Sequence, residues 1–254
     1  MTKPLVSLII PVYNEELHLL EFLKKIDSTD IGFPKELIIV DDCSSDASSS
    51  IIENFSFQSS YQFFRHQQNR GKGAALRKGF AMAKGQIIGV QDADFEYSVD
   101  EVRLLVEPIA KNLADVAYGS RFKKSGQQVH RTFHYLINRL LTLTSNIFSG
   151  LYLTDMETCY KFFKAEIIKN IDLKSDKFGF EPEVTAKIAR LHLRVLEIPV
   201  SYYPRSYIEG KKISWKDGIA AFWHILYFNS LAKESSYFRE GLPQGYIPQG
   251  RLWL

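Results

Sequence analysis

Asp92, Asp94 and Glu96 alternate along Gln91-Asp92-Ala93-Asp94-Phe95-Glu96, directly after the strand-like run Gln86-Ile87-Ile88-Gly89-Val90. Side chains of a strand point to opposite faces in turn, so an extended backbone would set the three carboxylates on one face. Hard oxygen donors grouped this way suit Mg²⁺ or Mn²⁺, ions that keep positions open for phosphate oxygens. Asp-x-Asp also occurs in solvated turns, so the surroundings of the motif have to decide between the two.

Two further apolar runs end in polar clusters. Residues 5–12 lead into Pro11-Val12-Tyr13-Asn14-Glu15, and residues 36–40 lead into Asp41-Asp42-Cys43-Ser44-Ser45-Asp46. Adjacent carboxylates such as Asp41 and Asp42 can hydrogen-bond ribose hydroxyls or a base N–H, whereas Ser45 and Asp46 serve equally well as helix caps. Asn69-Arg70-Gly71-Lys72-Gly73-Ala74-Ala75 opens a helix. Its glycines permit close approach of a phosphate to a positive helix terminus, with a tight turn as the plain alternative. The spacing is not that of a Walker loop.

The elements that must position these groups alternate. Strands are predicted over 5–12, 36–40, 61–65, 87–90 and 115–119, and helices over 15–26, 47–55, 73–83 and 99–111. Strands and helices in this rhythm imply an α/β fold: a Rossmann-like, mostly parallel sheet flanked by helices, with ligands beyond the carboxyl ends of its strands. The three polar clusters then share one edge.

A chain of 254 residues, 45% hydrophobic and 24% charged, can bury a sizeable core in one large domain. A net charge of +3 is too small to make nucleic acid the main partner. Cys43 and Cys159 have no metal-ligand spacing and read as reduced thiols. Met1-Thr2-Lys3-Pro4 runs straight into a strand with no charged-then-apolar leader, which predicts a cytoplasmic address. The longest apolar run, residues 218–231, is too short to span a bilayer.

In order and spacing these motifs resemble the inverting family-2 glycosyltransferases of GT-A fold, and within them the dolichyl- or polyprenyl-phosphate sugar synthases. The likeness runs through Ser7 to Glu15, Val40 to Asp46, Asn69 to Ala75, Asp92-Ala93-Asp94 and Tyr118-Gly119-Ser120-Arg121-Phe122. It continues in Thr154-Asp155-Met156-Glu157-Thr158-Cys159-Tyr160-Lys161, in Phe178-Gly179-Phe180-Glu181-Pro182-Glu183, and in Tyr203-Pro204-Arg205-Ser206 with Glu209-Gly210-Lys211-Lys212-Ile213. The resemblance implies that Pro11, Tyr13, Glu15, Asp41 and Asp42, with Lys72, hold the nucleotide sugar. It also implies that Asp92, Ala93 and Asp94 serve the metal and the donor diphosphate. Members acting on dolichyl phosphate often carry Gln where this chain has Glu96, so the third ligand is changed.

A lipid phosphate acceptor is already ionised near neutral pH and needs no strong base. The burden then falls on the leaving nucleoside diphosphate, whose charge needs a cation and basic side chains. Asp94, Arg205 and Arg121 are the candidate catalytic residues. Lys211 and Lys212 share a loop with Arg205 that can close over the diphosphate or simply be solvated. Arg121 and Arg131 are candidates for the acceptor phosphate, with a surface role as the alternative. A hydroxyl acceptor would instead need a base, for which Asp155 and Glu157 are the first candidates. A non-catalytic scaffold that binds nucleotide sugar is a third reading, against which the intact Asp92 and Asp94 stand.

Two apolar stripes repeat at helical spacing: Leu136, Leu140, Leu143, Ile147 and Leu151, and Trp215, Ile219, Phe222 and Leu226. Core packing explains either. The second stripe is bordered by Lys211, Lys212 and Lys216 and carries Trp223 and Tyr227, which suits an anionic membrane surface. The expected organisation is a glycosyltransferase domain over 1–213, an amphipathic membrane-surface helix over 214–232 and an irregular tail over 233–254. It predicts a peripheral enzyme at the cytoplasmic face of a membrane, with a nucleotide sugar of GDP-mannose or UDP-glucose type and polyprenyl phosphate as substrates.

Overall fold

The computed structural model describes residues 2–123, 132–177, 179–204, 215–233 and 237–247. The chain alternates β1 (Val6–Val12), α1 (Glu16–Ser28), β2 (Lys35–Asp41), α2 (Ser48–Asn54), β3 (Ser60–Arg65), α3 (Lys72–Met82) and β4 (Ile87–Val90). A 3₁₀ turn at Val99–Glu101 leads into α4 (Val102–Ala110) and β5 (Val116–Ser120). Then come α5 (Thr132–Ser149), β6 (Lys161–Lys164), α6 (Ala165–Ile168), α7 (Phe180–Ile188), β7 (Val195–Pro199) and α8 (Trp215–Leu226).

The strands form one sheet in the order β3-β2-β1-β4-β6-β5-β7. All pairings are parallel except those of β6, which is inserted antiparallel between β4 and β5. β1 and β2 are continuous apolar runs, as expected of strands covered on both faces. Leu19, Phe22 and Ile26 of α1 and Val102, Leu105 and Ile109 of α4 cover one face. Leu76 and Phe80 of α3, Leu141 of α5, Val184 and Ile188 of α7 and Ile225 of α8 cover the other.

Register fixes the shared edge. Val12 of β1 pairs with Asp41 of β2, and Ile9 of β1 pairs with Val90 of β4. The turns after these three strands therefore emerge side by side, as the alternation predicts. The stretch 233–254, read as an irregular tail, is docked where it is described. Phe238 bridges to Ile171, the buried Tyr237 hydroxyl donates to the Phe228 carbonyl, and the Tyr246 hydroxyl donates to Glu166.

The two apolar stripes resolve differently from simple core packing. Leu141 of α5 and Ala221 and Ile225 of α8 turn inward. Leu136, Leu140, Leu143 and Ile147 of α5, with Ile219, Phe222 and Trp223 of α8, remain exposed. α5 packs against α8, so the exposed stripes belong to neighbouring helices. Among the described residues no helix is long and apolar enough to cross a membrane.

Candidate functional site

The turns after β1 and β2 are laced together. Asp46 accepts the N–H groups of Ser48 (2.9 Å) and Glu16 (3.1 Å), and Glu16 accepts from the Ala47 N–H (3.0 Å). Asn14, at a positive φ of 51°, accepts from the Ser45 N–H at 2.8 Å. Asp46 thus has the structural role. Pro11, Tyr13 and Glu15 stand at the lip of this edge, with Tyr13 exposed and Pro11 and Glu15 half-buried.

Asp41 and Asp42 are buried, and three of their four oxygens are hydrogen-bonded inside the protein, Asp41 Oδ2 being the exception. Asp41 Oδ1 accepts the N–H and hydroxyl of Ser44 at 2.9 and 2.5 Å, and Arg65 Nε lies 3.2 Å from its Oδ2. Asp42 Oδ1 lies 2.6 Å from His66 Nδ1 and accepts the Arg70 N–H at 2.9 Å, while Oδ2 accepts the Gly71 N–H at 2.6 Å. Asp42 therefore ties the end of β2 to the turn that starts α3.

That turn departs from the sequence expectation. Gly71 adopts φ +94°, and a Cβ there would lie 2.5 Å from the Asp176 carbonyl oxygen; at Gly73 it would lie 2.2 Å from that of Ser175. The close approach these glycines permit is to the protein's own 175–177 segment. The Ala74 N–H at the helix terminus already donates to Asp176 O at 3.0 Å. What the turn delivers to the edge is Lys72.

Lys72 Nζ lies 2.9 Å from Asp92 Oδ2, 3.0 Å from Cys159 Sγ and 3.7 Å from Glu181 Oε1. Burial works against its charge, but Asp92, the Cys159 sulfur and Glu181 outweigh it and hold the ammonium well above the ordinary lysine range. Burial and Asp92 keep Cys159 a thiol. Cys159 and Glu181 arrive from the turn before β6 and from α7, remote in the chain, and no local pattern pairs them with Lys72.

The expected trio of carboxylates does not form. The strand stops at Val90, and Phe95 takes a positive φ of 58°, so the backbone is not extended and alternation no longer aligns the side chains. Glu96 Oε2 accepts the Tyr202 hydroxyl at 2.8 Å, and Asp94 Oδ1 accepts the Glu96 N–H at 3.1 Å. Among the described residues no three His, Cys, Asp or Glu side chains converge as a metal-ligand group. Asp92 and Asp94, both half-buried, are the carboxylates of this motif that could hold a cation. Two hard carboxylates that leave positions for diphosphate oxygens fit Mg²⁺ or Mn²⁺.

Arg121, expected at the acceptor phosphate, is buried and clamped. Its backbone N–H and Nε donate to Asp155 Oδ2 at 2.9 and 2.7 Å, and Nη2 donates to Oδ1 at 2.7 Å. Its guanidinium lies 5.1 Å from the centre of the Tyr202 ring. Burial opposes the charge, yet Asp155 raises it well above the ordinary arginine value. Asp155 is held in turn by Glu197 of β7, which accepts the N–H groups of Thr154 and Asp155 at 2.8 and 2.9 Å. Ala93 is buried beneath the β4 turn. Arg131, Arg205, Lys211 and Lys212 lie outside the described residues.

Residues 7–172 match the model of the family described as Glycosyl transferase family 2. The chain belongs to this family. Similar sequences carry related names. A dolichol-phosphate mannosyltransferase from Pyrococcus furiosus is 29% identical over 81% of this chain and 58% of its own length. A dolichyl-phosphate beta-glucosyltransferase from Trichomonas vaginalis is 30% identical over 82% of this chain and 68% of its own. An undecaprenyl-phosphate mannosyltransferase from Micrococcus luteus is 29% identical over 80% and 85%. The chain thus spans less than two thirds of the Pyrococcus relative.

Among solved structures, glucosyl-3-phosphoglycerate synthase from Mycobacterium tuberculosis superposes with a TM-score of 0.68 at 17% identity, covering 91% of this chain and 81% of that one. The same enzyme has been determined with Mn²⁺, UDP and glucosyl-3-phosphoglycerate and matches with a TM-score of 0.66. At these identities the likeness concerns the fold. The mostly parallel seven-stranded sheet flanked by helices is the GT-A architecture of this glycosyltransferase family.

Proposed function

We propose that this glycosyltransferase moves a hexose, with inversion, from a nucleotide sugar of GDP-mannose or UDP-glucose type to polyprenyl phosphate. The observation that carries the choice of acceptor is the state of Asp155. A hydroxyl acceptor needs a carboxylate free to take its proton; Asp155 is held bidentate by Arg121, and the other candidate, Glu157, is kept mostly protonated near neutral pH by burial and Glu181. A phosphate oxygen needs no such help. The named acceptors of the archaeal, protist and bacterial relatives support the same class.

In this reading Pro11, Tyr13 and Glu15 face the nucleotide, and Asp41 and Asp42 shape the edge that receives it. Asp92 and Asp94 hold a divalent cation, Mg²⁺ or Mn²⁺, which when bound supplies positive charge to the departing diphosphate. Lys72, protonated throughout the working pH range, adds a second positive charge beside Asp92. Arg205, Lys211 and Lys212 are assigned to the diphosphate, and Arg131 with Arg121 to the acceptor phosphate. The clamp on Arg121 orients its fork, and Asp155 is the positioning residue. The exposed face of α5 and α8 is the seat on a lipid surface, which brings a peripheral enzyme to a membrane-borne acceptor at the cytoplasmic face.

The donor side is tested by incubating the protein with UDP-glucose and GDP-mannose in Mg²⁺ or Mn²⁺ and following release of the nucleoside diphosphate in the presence of polyprenyl phosphate. Release with one donor that stops on chelation is expected. Release that is indifferent to chelation would remove the metal, and no release with a full panel of nucleotide sugars would remove the donor reading.

A further inference from the structure

Glu157 is a group that the reading above leaves without a task. It lies in the turn between α5 and β6, and that turn is rigidly held. Lys161 Nζ, fully buried, donates to the carbonyls of Met156, at 2.8 Å, and Thr158. The Cys159 N–H donates to the Tyr97 hydroxyl at 3.2 Å. The backbone on both sides of Glu157 is therefore pinned, so the direction of its side chain is set by the fold.

The Oε1 atom of Glu157 is buried and has no hydrogen-bond partner. A buried polar atom without a partner destabilises the folded state and calls for an explanation, one of which is a ligand that completes it. The charged groups acting on Glu157 are Glu181 of α7, Lys161 of β6, Arg121 after β5 and Asp155 of its own turn. Glu181 in turn lies 3.7 Å from Lys72 Nζ, the ammonium paired with Asp92. Glu157 is thus linked through Glu181 and Lys72 to the β4 edge, where the donor diphosphate is placed.

The surroundings select the chemistry of the missing partner. Burial and Glu181 push Glu157 up to about 8, so near neutral pH it is mostly a neutral acid that donates through one oxygen and accepts through the other. Glu181 and Asp155 add negative charge nearby and Lys161 and Arg121 positive charge, so the charges around the site are balanced and call for no ion. A neutral hydroxyl, itself both donor and acceptor, satisfies the site. We propose that Glu157 is a sugar-recognising residue whose buried oxygen is completed by a hydroxyl of the hexose once the nucleotide sugar is bound. This deepens the donor reading and rests on it.

Calorimetric titration of the wild type, Glu157→Ala and Glu157→Gln tests it, using UDP against UDP-glucose and GDP against GDP-mannose, each with Mn²⁺. Removing one neutral hydrogen bond should weaken nucleotide-sugar binding about fivefold to tenfold in Glu157→Ala, with nucleoside diphosphate binding unchanged within about twofold. Glu157→Gln keeps a donor and an acceptor and should recover wild-type sugar affinity within about threefold. Equal losses for diphosphate and nucleotide sugar, or full sugar affinity in Glu157→Ala, would overturn the inference while leaving the donor reading in place. So would a Gln variant that binds normally yet loses turnover more than about 100-fold, the mark of a general base. A wild type that binds none of the four ligands would overturn both.

Discussion

Two aspartate pairs stand at the ends of β2 and β4, the strands on either side of β1, and the fold surrounds them differently. Asp41 and Asp42, at the end of β2, are buried: Asp42 is held through both oxygens by His66 and the N–H groups of Arg70 and Gly71, and Asp41 through Oδ1 by Ser44, with Arg65 as an ion-pair partner of Oδ2. Asp92 and Asp94, after β4, are half-buried, with one oxygen at Lys72 and one at the Glu96 N–H. Residue type alone does not separate a structural carboxylate from a candidate functional one; burial and the identity of the groups packed around it differ between the two pairs.

That contrast is sharpened by substitutions that should have unlike readouts. Asp94→Ala is expected to lower kcat by at least about 100-fold, the scale of losing one electrostatic contributor to the leaving group, with the melting temperature nearly unchanged. Near-normal turnover would remove Asp94 from the site. Asp42→Ala should act on the fold instead, because it strands buried donors of His66, Arg70 and Gly71. A loss of about 2–4 kcal/mol is expected, read as a melting temperature roughly 5–15 °C lower. An Asp42→Ala variant with wild-type stability and lost donor binding would reverse the assignment.

The turn that Asp42 holds supplies a smaller effect. Gly71→Ala forces a side chain onto φ +94° and within 2.5 Å of the Asp176 carbonyl, and should cost about 1–3 kcal/mol by thermal unfolding. If the variant is as stable as the wild type, the 175–177 segment does not press against this turn.

Glu157 supplies a readout that appears only as pH is varied. Its folded-state value of about 8 lies above the ordinary 4.5, so between these values the folded chain retains a proton that the unfolded chain has released. Stability contributed by this group is therefore lost as pH rises across that window. Glu157→Gln removes the titration, so its melting temperature should gain on the wild type from pH 5 to pH 8. A gap that stays constant with pH would show that Glu157 titrates normally.

The sequence rhythm carried most of the first half of the fold. The apolar runs at 5–12, 36–40 and 87–90 are long enough, and bounded sharply enough by turn residues, to mark β1, β2 and β4 nearly to the residue. β6 was not legible, because Lys161-Phe162-Phe163-Lys164 is only four residues long and nothing in it marks an antiparallel insertion. Asp92 and Asp94 are proposed as site residues from their spacing at the end of β4. Glu96 was misread as a ligand because the alternation argument needs an extended backbone, and Phe95 breaks it. Lys72 was visible as a loop lysine, but its setting among Asp92, Cys159 and Glu181 depends on how β6 and α7 close on α3, which no local pattern encodes. The exposure of the α5 stripe depends likewise on which helical face meets α8.

The central claim, transfer of one hexose to a lipid phosphate, is met most directly by the mass of the product. The protein is incubated in detergent with polyprenyl phosphate, a simple glycan acceptor and a panel of nucleotide sugars with Mg²⁺ or Mn²⁺, and lipid and aqueous phases are analysed separately. The account predicts a lipid species heavier than polyprenyl phosphate by one hexose residue, formed with one donor and absent with Asp94→Ala. Product confined to the glycan, with the lipid phosphate untouched, would contradict it.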